Sequence, residues 1–456
     1  MKIAVLNGSP KDKELSISIK YIEFLQKKLP NYQYFILPIS TDINKIESND
    51  SYFQSILKTI EDSDVVVWAY PVYFFMIPSQ LKKFVELIFK KNKQNVFTGK
   101  YSTTITTSSM IFDYHAHNYI HSISEDLGMH YINGISFESI KYIDLLNKEY
   151  QMSFINFFVD FIQKAENKQS IPKKYFPISN QINKIDLDIK IENINRNTNK
   201  NIVILTDNLE NSNIEKMVNI FSSFIKYKID IVNVNTINIK KECSGCLYCQ
   251  EKSVCCIQDD VREIFEKKLP NADAIIFAFS IEYRHLTARW KALIDRSTFN
   301  AQLPLLKRKI CGWLVSGNLR YHKDLSEFIE IFSGAHFLNC VGIVSDEYDN
   351  TEKIVELIQN LANDVEKNIE NQPIKPFSSY AQTYHLLVRE QIASLGAAKY
   401  ALYKHFRKHK LLKFPYSRPL REIIFFNIIF NLPFIKMIAR KKLLNFLIKP
   451  YLKLLK

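Results

Sequence analysis

The chain carries one stretch twice. Asp64-Val65-Val66-Val67-Trp68-Ala69-Tyr70-Pro71-Val72-Tyr73, followed by Leu81-Lys82-Lys83-Phe84, aligns with Asp273-Ala274-Ile275-Ile276-Phe277-Ala278-Phe279-Ser280-Ile281-Glu282-Tyr283, followed by Trp290-Lys291-Ala292-Leu293. In each copy an acid precedes an apolar run with no polar alternation. That is the pattern of a parallel strand covered by helices on both faces. A repeat of such a strand constrains the chain to two α/β domains in series.

The surrounding pattern agrees. In the first copy, strands are expected at Lys2–Asn7, Tyr34–Pro38, Val65–Ala69, Ser102–Thr107 and Tyr131–Phe137, with helical periodicity between them. In the second they are expected at Asn201–Thr206, Ile229–Val234, Ala274–Phe279, Lys309–Ser316 and Phe337–Val344. The expected fold class is α/β: two tandem doubly wound parallel five-stranded sheets, residues 1–165 and 201–370. Residues 166–200 lose periodicity, carry Pro172 and Pro177, and read as a linker. Residues 371–456 read as a helical C-terminal extension.

Charge separates that extension from the rest. Residues 377–456 hold 16 Lys/Arg against Glu390 and Glu422, while the remainder of the chain holds 45 of each sign. Tyr400–Lys413 and Arg440–Lys456 mix cations with apolar residues. The favoured reading packs them on the domains, and peripheral membrane contact is the alternative. The apolar run Ile423–Ile435 is too short to span a bilayer, which takes about 20 residues. No nucleic-acid motif accompanies the charge. The first residues read as a strand, not a signal peptide, and the seven cysteines do not resemble a disulfide framework, so a cytoplasmic location is expected.

Three loops carry the candidate chemistry. Lys2–Leu6 runs into Asn7-Gly8-Ser9-Pro10-Lys11 and then a helix. A strand, a tight turn and a helix N-terminus make an anion site, to which Ser9 and Ser16 add hydroxyls and Lys11 a charge. Pro71, Val72, Tyr73 and Phe74 follow the third strand and offer a rigid, aromatic wall for a flat ring. Thr106-Thr107-Ser108-Ser109-Met110 follows the fourth, and Ser108 is its candidate ligand contact. In a doubly wound sheet, loops at the strands' carboxyl ends form the binding crevice.

These residues resemble the flavodoxin-like NAD(P)H-dependent FMN reductases. The resemblance implies that Ser9, Lys11 and Ser16 serve an FMN phosphate and that Pro71, Val72, Tyr73 and Phe74 pack on its ring. It also implies NAD(P)H as co-substrate. Glu14 is a departure, being an acid beside the phosphate loop. The second copy departs further. Its first loop, Thr206-Asp207-Asn208-Leu209-Glu210, has two acids and no glycine, and loss of FMN is expected there.

The second copy has cysteines instead. Cys243, Cys246 and Cys249 lie at two-residue intervals, and Cys255 follows after five. Such a set of thiolates suits an Fe–S cluster. The spacing resembles that of the iron–sulfur flavoproteins, which implies a [4Fe-4S] cluster exchanging electrons with FMN. Tetrahedral zinc and an empty loop remain as alternatives. Cys311 and Cys340 read as core residues, and His115 and His117 as packing residues near the flavin edge.

The expected activity is therefore an NAD(P)H-dependent FMN oxidoreductase, with a small-molecule or protein electron acceptor and with a homo-oligomer left open. No side chain is expected to act as a catalytic acid or base. The alternative is a non-enzymatic electron-transfer or partner-binding protein.

Overall fold

The computed structural model describes residues 1–108, 112–138, 144–178, 197–207, 210–252, 254–299, 304–348, 350–373, 376–394 and 406–408, with 452 and 455. The apolar run at 423–435, most of both basic segments and the linker from 179 to 196 lie outside the described residues. The chain divides into two compact units. One is Met1–Pro177 with Cys243–Gly245 and Leu387–Lys456, and the other is Ile178–Glu242 with Cys246–Leu386.

In the first copy, β1 (Lys2–Asn7), β2 (Gln33–Leu37), β3 (Val65–Pro71), β4 (Tyr101–Ser108) and β5 (His130–Tyr131) form a parallel sheet in the order β2-β1-β3-β4-β5. The chain winds one way from β1 to β2 and the other way from β3 onward, so the loops after β1 and β3 flank the switch point. Asn7 lies beside Ala69, and Pro71 beside Thr107. Ile3, Val5, Val65 and Val67 are fully buried under the helices, as strands covered on both faces require.

The expected strand Tyr131–Phe137 is split. β5 pairs with the start of β4, and β6 (Ile135–Glu138) pairs with its end. The reason lies at Gly134. A Cβ there would stand 2.4 Å from the Thr104 carbonyl oxygen and 2.9 Å from His117 Nδ1. The strand pieces thus number six rather than five. The start of the expected linker is also docked. Glu125 accepts from the backbone N–H of Lys174 at 2.8 Å and of Tyr175 at 2.9 Å, and Tyr101 Oη donates to the Gln169 carbonyl at 2.7 Å.

In the second copy, β7 (Asn197–Thr206), β8 (Tyr227–Asn233), β9 (Ala274–Ser280), β10 (Ile310–Ser316) and β11 (Asn339–Ser345) repeat the same order, β8-β7-β9-β10-β11. The repeat extends to a buried ion pair one helical turn apart: Lys82–Glu86 at 3.3 Å in the first copy and Lys291–Asp295 in the second. After the helix Thr351–Asn371, His385 Nε2 pairs with the Gly334 carbonyl at 2.8 Å and its ring stacks on Phe337. Among the described residues, no helix is long and apolar enough to cross a membrane.

Candidate functional site

The β1 loop is fastened to β3. Gly8 N–H donates to the Ala69 carbonyl at 2.8 Å. A Cβ on Gly8 would stand 2.5 Å from Leu81 Cδ2 and 2.8 Å from Tyr70 Cβ, so a side chain does not fit this approach. The next residues curl by local bonds: Ser9 N–H donates to Asn7 Oδ1 at 3.0 Å, and Lys11 N–H to Ser9 Oγ at 3.3 Å. Ser16 is the N-cap of the helix Ile17–Lys28. Its Oγ accepts from Ile19 N–H at 3.4 Å and pairs with Ser18 Oγ at 3.1 Å. Ser9 and Ser16 are buried, whereas Glu14 is exposed, so its carboxylate is solvated.

The β3 loop is fastened to β4, with Val72 N–H donating to the Thr107 carbonyl at 2.9 Å. Tyr73 and Met76 then exchange both backbone bonds, at 2.8 and 3.1 Å. Between them Phe74 and Phe75 have φ of 43° and 66°. Two positive φ values inside such a bracket make a type I′ turn, which favours Asn and Gly. A side chain in this left-handed region costs about 1–2 kcal/mol per residue. The strain holds an aromatic wall in place: Phe74 and Phe75 pack at 4.9 Å between centroids, and Phe75 reaches Phe112 at 5.9 Å.

The two loops converge. Gly245, which belongs to the same compact unit, marks the spot. A Cβ on it would stand 2.1 Å from Tyr73 Oη and 3.1 Å from Lys11 Cε. In the same unit, Gln80 Nε2 donates to the Cys243 carbonyl at 3.2 Å. Ser108 closes β4, its Oγ donating to Asp113 Oδ2 at 3.3 Å, and the residues just after it lie outside the described set. His117 is held by hydroxyls, with Thr104 at 2.6 Å, Thr106 at 2.9 Å and Ser136 at 2.7 Å. Burial holds His117 below its ordinary value and pushes His115 down to about 4, so both imidazoles are neutral at pH 7.

The second copy has the same backbone with other chemistry. Glu282 and His285 exchange the two bonds, around Tyr283 and Arg284 at φ 49° and 68°. The strand registers put Asp207 where the first copy has Gly8 and Ser280 where it has Pro71. Asp207 is buried, and both its carboxylate oxygens lie 3.2 Å from Ser280 N–H. Burial pushes Asp207 up to about 7, against the pull of that N–H.

A stability test follows from the sign of that shift. Between pH 4 and 7 the folded chain holds a proton on Asp207 that the unfolded chain has lost, so stability falls as pH rises through this window. Asp207→Asn stays neutral and still accepts from Ser280. It is expected to match the wild type near pH 4.5 and to exceed it at pH 8 by about 1–3 kcal/mol, measured by calorimetry.

In the second unit, the cysteine loop is braced by one arginine. Arg296 pairs with Asp259, and both side chains are fully buried. Its guanidinium also donates to the carbonyls of Lys241 at 3.2 Å and Ile257 at 3.1 Å, and to Cys255 Sγ at 3.5 Å. Burial opposes ionisation of Asp259, but Arg296 and the Lys240 N–H hold its carboxyl below the usual range. Cys246 Sγ and Cys256 Sγ lie 3.6 Å apart, both residues exposed. Burial, then the neighbouring sulfurs of Cys246 and Cys255, push the Cys249 thiol up to about 12. Among the described residues no three Cys, His, Asp or Glu side chains are already gathered for a metal. Cys256 and Arg296 are the residues that spacing alone had not singled out.

Comparison with known proteins places both copies. Residues 1–152 match the model of the Flavodoxin_2 family, a flavodoxin-like fold, and residues 200–348 match that of the NADPH-dependent FMN reductases. The two copies match these two family models in tandem. The flavodoxin-like copy thus bears the glycine loop and the aromatic wall, and the FMN-reductase copy bears the buried carboxylate. An iron–sulfur flavoprotein of Archaeoglobus fulgidus is 32% identical over 89 residues, 20% of this chain and 40% of that protein. One from Methanocaldococcus jannaschii is 44% identical over 55 residues, 12% of this chain and 28% of that protein. The chain therefore spans less than half the length of either relative. Among solved structures, the flavoenzyme NAD(P)H:(acceptor) oxidoreductase FerB from Paracoccus denitrificans is 19% identical, with a TM-score of 0.30 and coverage of 36% of this chain and 97% of that one. A general stress protein 14 from Treponema denticola, solved in complex with FMN, is 11% identical, with a TM-score of 0.27 and coverage of 37% and 99%.

Proposed function

We propose that the chain is an FMN-dependent oxidoreductase. The flavodoxin-like copy holds the flavin, NAD(P)H supplies the hydride, and a small-molecule or protein acceptor takes the electrons. The observation that carries this reading is the convergence of Lys11 with Tyr73 at one edge of the first sheet. FMN when bound supplies the hydride and electron chemistry, and the chain supplies binding and orientation. Ser9, Lys11 and the N-terminus beyond Ser16 serve the phosphate. Pro71, Val72, Tyr73 and Phe74 wall the ring, and Ser108 closes the third side. Purified without oxygen, the chain is expected to be yellow and to oxidise NADH or NADPH with a quinone or dye acceptor. A colourless chain, still colourless after soaking in excess FMN, would end this reading. Bound flavin without nicotinamide turnover would make it an electron carrier instead.

The cysteine run supports a one-electron exit through an Fe–S cluster held by Cys243, Cys246, Cys249 and a fourth thiol. A [4Fe-4S] cluster takes one thiolate on each of its irons, and the spacing gives the fourth place to Cys255, which follows Cys249 after five residues. Cys255→Ser is expected to lose most of its iron and its broad visible absorbance, and Cys256→Ser to keep both. The reverse result moves the fourth place to Cys256. Zinc found in place of iron makes the site structural, and flavin-loaded protein with no metal removes it.

A further inference from the structure

We propose that the FMN-reductase copy fills its own flavin cleft with two buried acids, Asp207 and Asp346, and takes no flavin. The family implies FMN for this copy, but its residues do not fit one. The inference deepens the preceding reading, in which the flavin belongs to the first copy.

The strand registers make the comparison position by position. Asn7 pairs with Ala69 as Thr206 pairs with Ala278, so Asp207 replaces Gly8. Thr107 pairs with Pro71 and Phe137 as Ser316 pairs with Ser280 and, one residue beyond the last bridged pair, faces Asp346. Asp346 therefore stands where the first copy has Phe137, a ring stacked on Tyr21 at 3.9 Å. One copy has an apolar floor at this point, and the other has a buried acid.

Both acids have taken the donors that an anionic ligand would need. Asp207 holds the Ser280 N–H at the end of β9. Asp346 accepts from Ser316 Oγ at 2.7 Å, from Gly317 N–H at 2.7 Å and from Asn213 Nδ2 at 2.8 Å. Gly317 is the counterpart of Ser108, and Asn213 is the first residue of the helix Asn213–Ser223 that follows β7. In the first copy that place belongs to the helix N-terminus behind the phosphate loop. An internal carboxylate thus ties the β10 end to the helix start, as a bound anion would. A phosphate dianion arriving there meets two acids where it needs donors, and each acid is buried among groups that already satisfy it.

The test is flavin stoichiometry on the full chain, read from the visible spectrum after reconstitution with excess FMN and gel filtration. The expected result is one flavin per chain for the wild type and none for Gly8→Asp, which gives the first copy the second copy's residue. Two flavins in the wild type, or one retained in Gly8→Asp, would overturn the inference. A wild type with no flavin would agree with the filled cleft and would sink the proposed function instead. Should Gly8→Asp not fold, the double variant Tyr73→Ala/Phe74→Ala removes the first ring wall without touching the sheet. It is expected to lose its flavin, and one flavin retained there would equally overturn the inference.

Discussion

Arg296→Met is expected to destabilise the second unit by about 3–5 kcal/mol and to free its cysteine loop. The arginine lies fully buried against Asp259, so the variant leaves a carboxylate out of water with its main partner gone. Removal of one member of such a pair is far more damaging than removal of both. The same guanidinium touches Lys241 ahead of the cysteines and Cys255 and Ile257 behind them. One side chain therefore closes the base of the loop, and Met fills much of its volume without replacing a single donor. Thermal melting reads the first effect. Alkylation of Cys246, Cys249, Cys255 and Cys256 reads the second, and all four are expected to react faster in the variant. Asp259→Asn/Arg296→Met should recover part of the stability but none of the loop protection, because the carbonyl contacts stay lost. Unchanged alkylation rates in Arg296→Met would show that the loop is held elsewhere.

Much of this arrangement was legible in the residues. The doubled apolar strand placed both sheets, because a strand covered on two faces has little choice of residue. Gly8 and the aromatic run at Tyr73–Phe74 stood out in the residues because they directly follow the first and third strands, where a doubly wound sheet places its crevice. What was not legible depended on contacts between distant segments. The Phe74–Phe75 turn contains neither Asn nor Gly, so local propensity argues against the conformation that the sheet edge imposes. The break in the fifth strand follows from the approach of Gly134 to Thr104, which only the packed sheet reveals. Asp207 was visible as an acid in a phosphate loop. Asp346 was not, since its meaning depends on the register of β11 against β10 and on a helix start more than a hundred residues earlier. Cysteine spacing gave a set of thiols but not which of two adjacent ones turns toward Arg296.

Gly8→Ala is expected to weaken FMN binding by about 100-fold and to cost the apo first unit about 1–3 kcal/mol. The added methyl meets Leu81 Cδ2, which can rotate aside, and Tyr70 Cβ, which cannot. Tyr70 is fully buried, and its Oη donates to the Ala116 carbonyl at 3.0 Å, so the ring is fixed at its far end as well. The loop has to give way instead. The second copy shows by how much: with a side chain at this position, the Asp207 N–H to Ala278 bond measures 3.3 Å, against 2.8 Å for Gly8 to Ala69. A shift of that size at the root of the loop carries Ser9 and Lys11 with it. Charge-assisted hydrogen bonds contribute about 1.5–3 kcal/mol each, and misaligning one or two of them accounts for a loss of about 2.8 kcal/mol, or 100-fold. Fluorescence titration with FMN and with riboflavin separates the causes. If the loop grips the phosphate, Gly8→Ala loses affinity for FMN while its weaker affinity for riboflavin, which has no phosphate, barely moves. An equal loss for both ligands would place the damage at the ring wall, and no loss for either would take the phosphate away from this loop.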